Sequence, residues 1–216
     1  MLRHAADVMH LLALLMLSGR VCNANINGVS VRTQQLYLLV FTTRYVDISW
    51  WNGVVNFNFV MKVLFLIVSL IICVRLHSLR KYYNHHLDEA RRMPLVLISA
   101  VVSGAWVWYY QDFLQLLWFQ FLYTFSFALE SIAILPQLQI TKHKGRVDPL
   151  MSNYMLLLCL YRLLYIAHWF TTPNRTDSII KCLCFVHVCL FADFVYYYIR
   201  SRRRGERDTV LDDDIV

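Results

Sequence analysis

Seven long apolar runs constrain the fold of this chain more than any other feature. The sequence of 216 residues is 58% hydrophobic and holds only 6 glycines and 4 prolines. An apolar helix of about 20 residues can cross the hydrocarbon core of a bilayer, and soluble domains carry more charge. We therefore predict an all-α membrane domain over residues 1–199, followed by a tail over residues 200–216. The predicted transmembrane segments are 3–21, 34–51, 56–76, 94–110, 113–138, 149–169 and 178–199.

The first segment is predicted to stay in the protein as a span. A signal peptide would have a basic start and a small-residue cleavage site. Here the start carries Asp7 and His10, and no clear cleavage site follows Leu17.

Charge alternates between the loops and predicts the orientation. Lys and Arg lie in the loops after segments one, three and five and in the tail, whereas residues 52–58 contain neither. Because basic loops remain cytosolic, the N-terminus is predicted to be luminal and the C-terminus cytosolic. The net charge of +7 is then mainly a topology signal, and we expect no nucleic-acid partner. Asn174 begins a glycosylation sequon in a predicted luminal loop.

Three cations lie inside apolar segments, where a charge costs several kcal/mol and usually faces a polar cavity. They are Arg44, Lys62 and Arg162. Their number predicts an intramembrane pocket for an anion. Full pairing of Arg3, Arg44, Lys62 and Arg162 with Asp7, Asp47, Glu130 and Asp193 would instead make a purely structural network, and the sequence leaves that alternative open.

Polar residues recur at helical spacing on three segments. Segment one carries Arg3, Asp7 and His10, and His10 is able to gain a proton near pH 6.5. The other two stripes are Gln120, Tyr123, Phe127 and Glu130 on segment five, and Tyr161, Tyr165, His168, Trp169 and Thr172 on segment six, with Arg162 alongside.

Four motifs in order along the chain resemble the KDEL receptors, which retrieve escaped endoplasmic-reticulum proteins from the Golgi. They are Val40-Phe-Thr-Thr-Arg-Tyr45 with Asp47, Leu129-Glu-Ser-Ile-Ala-Ile-Leu-Pro-Gln137, Leu160-Tyr-Arg162 with Tyr165 and Trp169, and Ala192-Asp-Phe194. Pro136-Gln137 also resembles the signature of the PQ-loop and sugar-transporter superfamily. This resemblance implies two three-helix bundles, segments 1–3 and 5–7, joined by segment four.

The resemblance also implies roles for particular residues in recognition of the signal. Arg44 would grip the free C-terminal carboxylate of the cargo, with Tyr45 beside it, and Arg3 would contact acidic side chains of the signal. His10 would be the group whose protonation tightens binding in the acidic Golgi, with His168 as its rival. The remaining implied signal contacts are Tyr161, Arg162, Tyr165 and Trp169, and the contact between Glu130 and Tyr161 would change on binding.

Other implied roles concern transport. Asp193 resembles a residue needed for return to the endoplasmic reticulum. Arg202, Arg203, Arg204 and Arg207 sit where the family carries a patch that binds the COPI coatomer. The acidic stretch from Asp208 to Val216 is predicted to be disordered. The expected locations are the endoplasmic reticulum membrane, the cis-Golgi membrane and COPI vesicles.

Several positions depart from the family pattern. Gln120 replaces a glutamate that pairs with the basic first residue of the signal, and Tyr123 replaces a tryptophan. Thr172 replaces an arginine that meets the aspartate of the signal, with Arg175 as the nearest substitute. Trp51 and His168 replace a serine and an asparagine. We therefore expect a preferred tetrapeptide that need not begin with Lys or His.

The leading interpretation is a cargo receptor that binds C-terminal tetrapeptides, sits in the lipid bilayer and uses no cofactor. The alternative is a proton-coupled small-solute transporter, although the charged Arg44, Glu130 and Arg162 argue against a sugar as substrate. An enzyme is not indicated, because the chain shows no nucleophile–base pair, metal-ligand spacing or phosphate-binding loop. The six cysteines show neither a disulfide framework nor a metal pattern.

Overall fold

Helices form nearly all of the described chain. The computed structural model describes residues 2–47, 55–83, 88, 91–109, 117–171 and 178–211. Within those ranges the α-helices are α1 Leu2–Cys22, α2 Val31–Arg44, α3 Phe57–Ser78, α4 Arg92–Tyr109, α5 Leu117–Ile132, α6 Leu135–Lys144, α7 Pro149–Thr171 and α8 Ser178–Arg203. A 3-10 turn covers Arg80–Tyr82, and two short strands are β1 Arg146–Val147 and β2 Thr209–Val210. The predictions made for Trp51, Thr172, Asn174 and Arg175 concern positions outside the described residues.

Among the described residues, six helical stretches are long and apolar enough to cross a membrane, which confirms an all-α multi-pass membrane protein. They are α1, α3, α4, the combined α5–α6 stretch, α7 and α8. The remaining predicted segment corresponds to α2, which begins after Ser30, whose hydroxyl oxygen accepts a hydrogen bond from the amide of Thr33. The prediction that this helix continues to residue 51 is wrong, because Tyr45 already leaves the helical conformation with φ −105° and ψ 25°.

The fifth predicted segment is not one continuous helix from residue 113 to 138. It ends at Ile132 and restarts at Leu135, with Pro136 in the first turn of α6. Proline lacks an amide hydrogen and clashes with the preceding helical turn, so it is tolerated at a helix start and not in a helix interior. The new helix then runs to Lys144 and is ended by Gly145 in the left-handed conformation at φ +64°.

In each of the two predicted three-helix units, one helix packs against the other two. In the first unit, α3 packs against α1 and α2. In the second, α8 packs against α5 and α7. The two units meet where α1 packs on α7 and α2 packs on α5, while α4 lies against α5. This arrangement brings the polar residues of α1, α2, α5 and α7 toward one another.

The prediction of disorder from Asp208 onward is wrong for its first residues. Thr209 and Val210 pair antiparallel with Val147 and Arg146, and the amide of Leu211 donates to the carbonyl of Gly145 at 2.8 Å. Thr209 is fully buried, with its hydroxyl 2.8 Å from that of Ser152. These hydrogen bonds hold the start of the acidic stretch against the helical bundle, even though its composition suggests a free tail.

Candidate ligand-binding site

Glu130 is the centre of a buried charge cluster within the helical bundle. Its Oε2 atom lies 2.6 Å from a terminal guanidinium nitrogen of Arg44 and 2.5 Å from one of Arg162. The hydroxyl of Tyr161 donates to Oε1 of Glu130 at 2.8 Å. Because α2 packs on α5, and α8 packs on both α5 and α7, one carboxylate of α5 is able to meet arginines from two different helices.

The two arginines are held by further contacts. Arg162 donates to the hydroxyl of Tyr161 and to the sulfur of Cys184, each at 3.0 Å. Arg44 donates through Nε to the hydroxyl of Ser126 at 3.0 Å, and its guanidinium lies 4.0 Å from the ring centroid of Phe127. Each arginine is therefore fixed by its neighbours in addition to the shared carboxylate.

The cluster of Arg44, Glu130 and Arg162 carries one surplus positive charge. Two guanidinium groups share a single carboxylate, and no second carboxylate pairs with either of them within the described residues. Exposure of the side chains falls from 13% at Arg44 to 2% at Arg162 and 1% at Glu130. Desolvation of an uncompensated charge is costly, so the cluster favours an additional anion, and Arg44 is the member that it can reach.

His10 joins this cluster through Tyr161. The imidazole is stacked on the Tyr161 ring with centroids 4.0 Å apart, and the rings of Phe41 and Phe65 lie at 5.6 Å and 5.0 Å. His10 is 4% exposed, and its Nε2 atom has no hydrogen-bond partner among the residues that the structure describes. A protonated His10 would therefore need a new hydrogen-bond acceptor.

Some of the remaining predicted site residues form contacts with other residues of the bundle, and others form no polar contact with any described residue. Tyr165 donates a hydrogen bond to Asp7, and its ring lies 5.9 Å from that of Trp169. Tyr45 stacks on Phe41 and Phe65, the same two rings that lie beside His10. By contrast, Arg3 is exposed and Gln120 half-buried, and neither forms a hydrogen bond or an ion pair with any described residue.

Lys62 does not belong to the predicted three-cation pocket. It forms an ion pair with Asp47, and both side chains are partly exposed. The position of Lys62 inside an apolar run wrongly suggested that it lines the anion pocket, because the carboxylate of Asp47, just beyond the end of α2, contacts Lys62 directly.

Asp193 pairs with Lys142 at 2.6 Å, and this pair is also exposed. The fully paired structural network is therefore wrong, because Asp193 pairs outside that set and Arg44 and Arg162 share one acid.

Sequence reasoning missed three residues of the cluster. Ser126 and Cys184 are small polar groups that apolar patterning alone does not distinguish from packing residues. His187 places Nδ1 3.1 Å from the backbone carbonyl of Glu130. A histidine in the apolar run 178–199 was a detectable signal, because ionisable residues within a membrane span are rare.

The tail arginines are not equivalent. Arg202 is half-buried and donates to the carbonyl groups of Glu206 and Arg207 at 3.0 Å and 2.6 Å. Arg203, Arg204 and Arg207 are exposed. Arg202 therefore shapes the turn after α8, while the other three present charge at the surface.

The helical bundle and its buried cluster of two arginines and one glutamate define the class of multi-pass membrane proteins with a candidate ligand site in the bundle. Residues 25–172 match the family model for the ER lumen protein retaining receptor. Over 207 residues the chain is 37% identical to ER lumen protein-retaining receptor A of Arabidopsis thaliana, covering 92% of this chain and 93% of the relative. It is 32% identical over 210 residues to receptor 3 of Mus musculus, with 95% of each chain covered. It is also 32% identical over 214 residues to the receptor of Saccharomyces cerevisiae, covering 94% of this chain and 95% of the relative.

The chain therefore belongs to the ER lumen protein-retaining receptor family, which confirms the resemblance found in its sequence motifs. This is a family of receptors and not of enzymes.

Proposed function

We propose that this protein binds KDEL-like C-terminal signals of escaped endoplasmic-reticulum proteins in the acidic Golgi and returns them for release at neutral pH. The family membership supports the receptor role, since the relatives carry the name ER lumen protein-retaining receptor. The particular signal, the response to pH and the transport partners are part of the proposal.

The observation that carries the proposal is the surplus charge of the Arg44–Glu130–Arg162 cluster. A free peptide C-terminus is a carboxylate, and arginine suits forked contacts with carboxylates. Arg44 retains 13% exposure of its side chain, against 2% for Arg162, so Arg44 is the proposed contact. Arg162 stays buried and makes the local potential positive, so that a second carboxylate can bind beside Glu130.

The proposed pH response uses His10. In the unliganded cluster two arginines lie nearby and Nε2 of His10 lacks an acceptor, so a charged imidazole is unfavourable there. An incoming carboxylate lowers that cost. If His10 takes up a proton when the signal binds, affinity rises as pH falls and decreases as pH rises. This sign agrees with capture in an acidic compartment and release in a neutral one.

The remaining proposed contacts lie around this cluster. Tyr45, Tyr161, Tyr165 and Trp169 would line the path of the peptide, and their rings already adjoin His10 or Asp7. Arg3 and Gln120 would meet the earlier residues of the signal. Their freedom from described hydrogen bonds leaves both side chains available for that contact.

Return transport would depend on the cytosolic end of the bundle. The proposed orientation has the N-terminus in the lumen and the C-terminus in the cytosol, since the loops rich in Lys and Arg are assigned to the same side of the membrane as the basic tail. The exposed Arg203, Arg204 and Arg207 would bind the COPI coatomer, with Arg202 ordering the turn that presents them. Asp193 would act in transport through its exposed pair with Lys142. The protein would then cycle between the endoplasmic reticulum, the cis-Golgi and COPI vesicles.

The decisive experiment is a titration of purified receptor with tetrapeptides ending in Leu, from about pH 5 to about pH 7.5, across the range in which histidine titrates. A peptide with an amidated C-terminus is the matched control. Tight binding of the free acid at low pH and loss of binding on amidation are expected. Equal binding of both peptides would refute recognition of the carboxylate.

A second measurement separates the receptor from a solute transporter. Protein reconstituted in vesicles should bind the peptide and show no saturable uptake of a small acidic solute under a proton gradient. Proton-driven uptake without peptide binding would favour the transporter instead.

A further inference from the structure

The break between α5 and α6 leaves a backbone carbonyl inside the bundle without its usual partner. The last carbonyl groups of an α-helix have no amide of the same helix to accept from, and α5 ends at Ile132 because Pro136 cannot continue it. The carbonyl of Leu129 still accepts from the amide of Ala133 at 2.8 Å. No backbone amide in the described part of the chain donates to the next carbonyl, that of Glu130.

His187 of α8 supplies the missing donor. Its Nδ1 atom lies 3.1 Å from the carbonyl oxygen of Glu130, and its side chain is fully buried. The packing of α8 on α5 brings the two groups together. An unsatisfied backbone carbonyl is costly within a membrane, where no water replaces the lost partner. His187 therefore caps the C-terminal end of α5 from a different helix.

This contact fixes the tautomer of the His187 ring. A carbonyl oxygen only accepts hydrogen bonds, so the shared hydrogen lies on Nδ1. The Nε2 atom of His187 has no hydrogen-bond partner among the residues that the structure describes. A buried N–H without an acceptor is unfavourable, and an unprotonated nitrogen therefore fits this position better than the N–H of a charged ring.

The charges around His187 also oppose a second proton on the ring. The charged and titratable groups that surround it are Glu130 of α5, Tyr161 and Arg162 of α7, Cys184 of α8 and His10 of α1. Arg162 and Arg44 share the single carboxylate of Glu130, so the cluster already carries a surplus positive charge. A cationic imidazole beside that surplus is unfavourable, and His187 stays neutral.

The cap acts on the ligand site through a single residue. The carbonyl that His187 holds and the carboxylate that meets Arg44 and Arg162 both belong to Glu130. A shift of this carbonyl would carry the carboxylate with it. Because α5 ends at Ile132, no further helical turn steadies the backbone there. The position of the carboxylate between the two arginines therefore depends on α8.

We propose that His187 is a positioning residue of the ligand site, a neutral cap on α5 that keeps the Glu130 carboxylate between Arg44 and Arg162. His10 and His187 then differ in role, although both adjoin the ring of Tyr161. His10 is the proposed proton acceptor, whereas His187 keeps one neutral tautomer. The effect on ligand affinity rests on the proposed recognition of a carboxylate, and the tautomer does not.

The first test reads the tautomer directly. Nitrogen NMR of the full-length receptor in detergent, with isotope-labelled histidine, distinguishes Nδ1–H, Nε2–H and cationic rings. The signal lost in His187→Asn belongs to His187, and His143→Asn, at an exposed position on α6, is the control for assignment. We expect a neutral Nδ1–H ring for His187 at neutral pH. An Nε2–H ring or a cationic ring at that pH would overturn the proposal.

The second test compares three replacements of His187 in peptide binding. Asn carries its amide nitrogen as far along the side chain as Nδ1 of histidine, Gln carries it as far as Nε2, and Leu has no donor. The readout is the ratio of affinities for a free-acid tetrapeptide and its amidated form. His187→Asn should keep the native ratio, whereas His187→Gln and His187→Leu should lower it about tenfold, or about 1.4 kcal/mol.

The order of these variants separates a cap from a residue that only fills space. Gln and Leu match the volume of histidine more closely than Asn does, so a packing role would tolerate them better. A native ratio in the Gln or Leu variant, or an equal loss in the Asn variant, would overturn the proposal. Should the Leu variant fail to fold, the comparison of Asn with Gln still decides. If the native receptor does not prefer the free acid, the proposed function fails, and the tautomer measurement still judges the cap.

Discussion

The imidazole of His10 lies flat on the phenol of Tyr161, with ring centroids 4.0 Å apart and planes inclined by 8°. The hydroxyl of the same phenol donates to Glu130 and accepts a hydrogen bond from Arg162. A change of charge on His10 therefore acts on the ion cluster through a single intervening ring.

Replacement of His10 by alanine should flatten the pH dependence of peptide binding. One proton taken up on binding changes affinity by up to about tenfold per pH unit. Calorimetric titration of His10→Ala across the acidic range should show a slope close to zero, whereas His168→Ala retains the slope. The reverse pattern would assign the sensor to His168.

Arg44→Gln should abolish discrimination between free-acid and amidated peptides. Loss of a charge partner for a desolvated carboxylate costs about 2–5 kcal/mol, a loss of at least about thirtyfold in affinity. Lys62→Gln is the matched control, because this cation pairs with Asp47 at a partly exposed position. The assignment of the carboxylate to Arg44 fails if the two variants lose affinity equally.

Glu130→Gln should destabilise the unliganded receptor strongly. The change leaves two buried guanidinium groups without a neutralising charge, a defect of about 3–5 kcal/mol. Tyr161→Phe removes one hydroxyl that both donates and accepts, and should cost about 1–3 kcal/mol. Thermal unfolding in detergent would rank the two variants. A Glu130→Gln receptor as stable as the native protein would contradict the proposed surplus of positive charge.

Gln120 is expected to relax the requirement for a basic first residue in the signal. Tetrapeptides that differ only at this position should bind the native protein with similar affinity. Gln120→Glu should then favour Lys or His by about 0.5–2 kcal/mol through a new charge pair, while the neutral Gln120→Met should not. A strict basic preference in the native protein would disprove this expectation.

Gln137 should be needed to hold the two helical units together at the end of the bundle that carries the loops rich in Lys and Arg. Its side chain accepts from the amide of Ser30 at 2.8 Å and donates to the carbonyl of Gly28 at 2.7 Å. Gln137→Leu leaves both backbone groups unsatisfied and should lower stability by about 1–3 kcal/mol per group. Gln139→Leu, on the same helix, should have a smaller effect, and hydrogen exchange in residues 23–30 would locate the difference.

The membrane helices and several residues of the cluster were predictable from the sequence, but their pairing was not. Apolar length alone indicates α1, α3, α7 and α8, since each is long and apolar enough to cross a bilayer. Arg44, Glu130 and Arg162 are identifiable because charges in such helices are expensive. The sharing of Glu130 by both arginines depends on how α2, α5 and α7 pack, which one sequence does not specify.

Other differences follow from local chemistry that the hydropathy pattern does not record. Pro136 lies within an apolar run, yet its missing amide hydrogen divides the helix. Lys62 meets Asp47 only because the chain leaves α2 at Tyr45. Thr209 belongs to an acidic stretch but finds a buried hydroxyl partner in Ser152. In each case a specific contact outweighs the average character of the segment.

The short sheet that joins residues 146–147 to 209–210 has a practical consequence for anyone who follows this receptor in cells. Leu211, only 8% exposed, anchors the stretch to which a fluorescent or epitope label would be attached. A bulky label attached shortly after Leu211 would strain the packed backbone of this short sheet. A flexible spacer is needed there if trafficking of the labelled protein is to represent that of the native one.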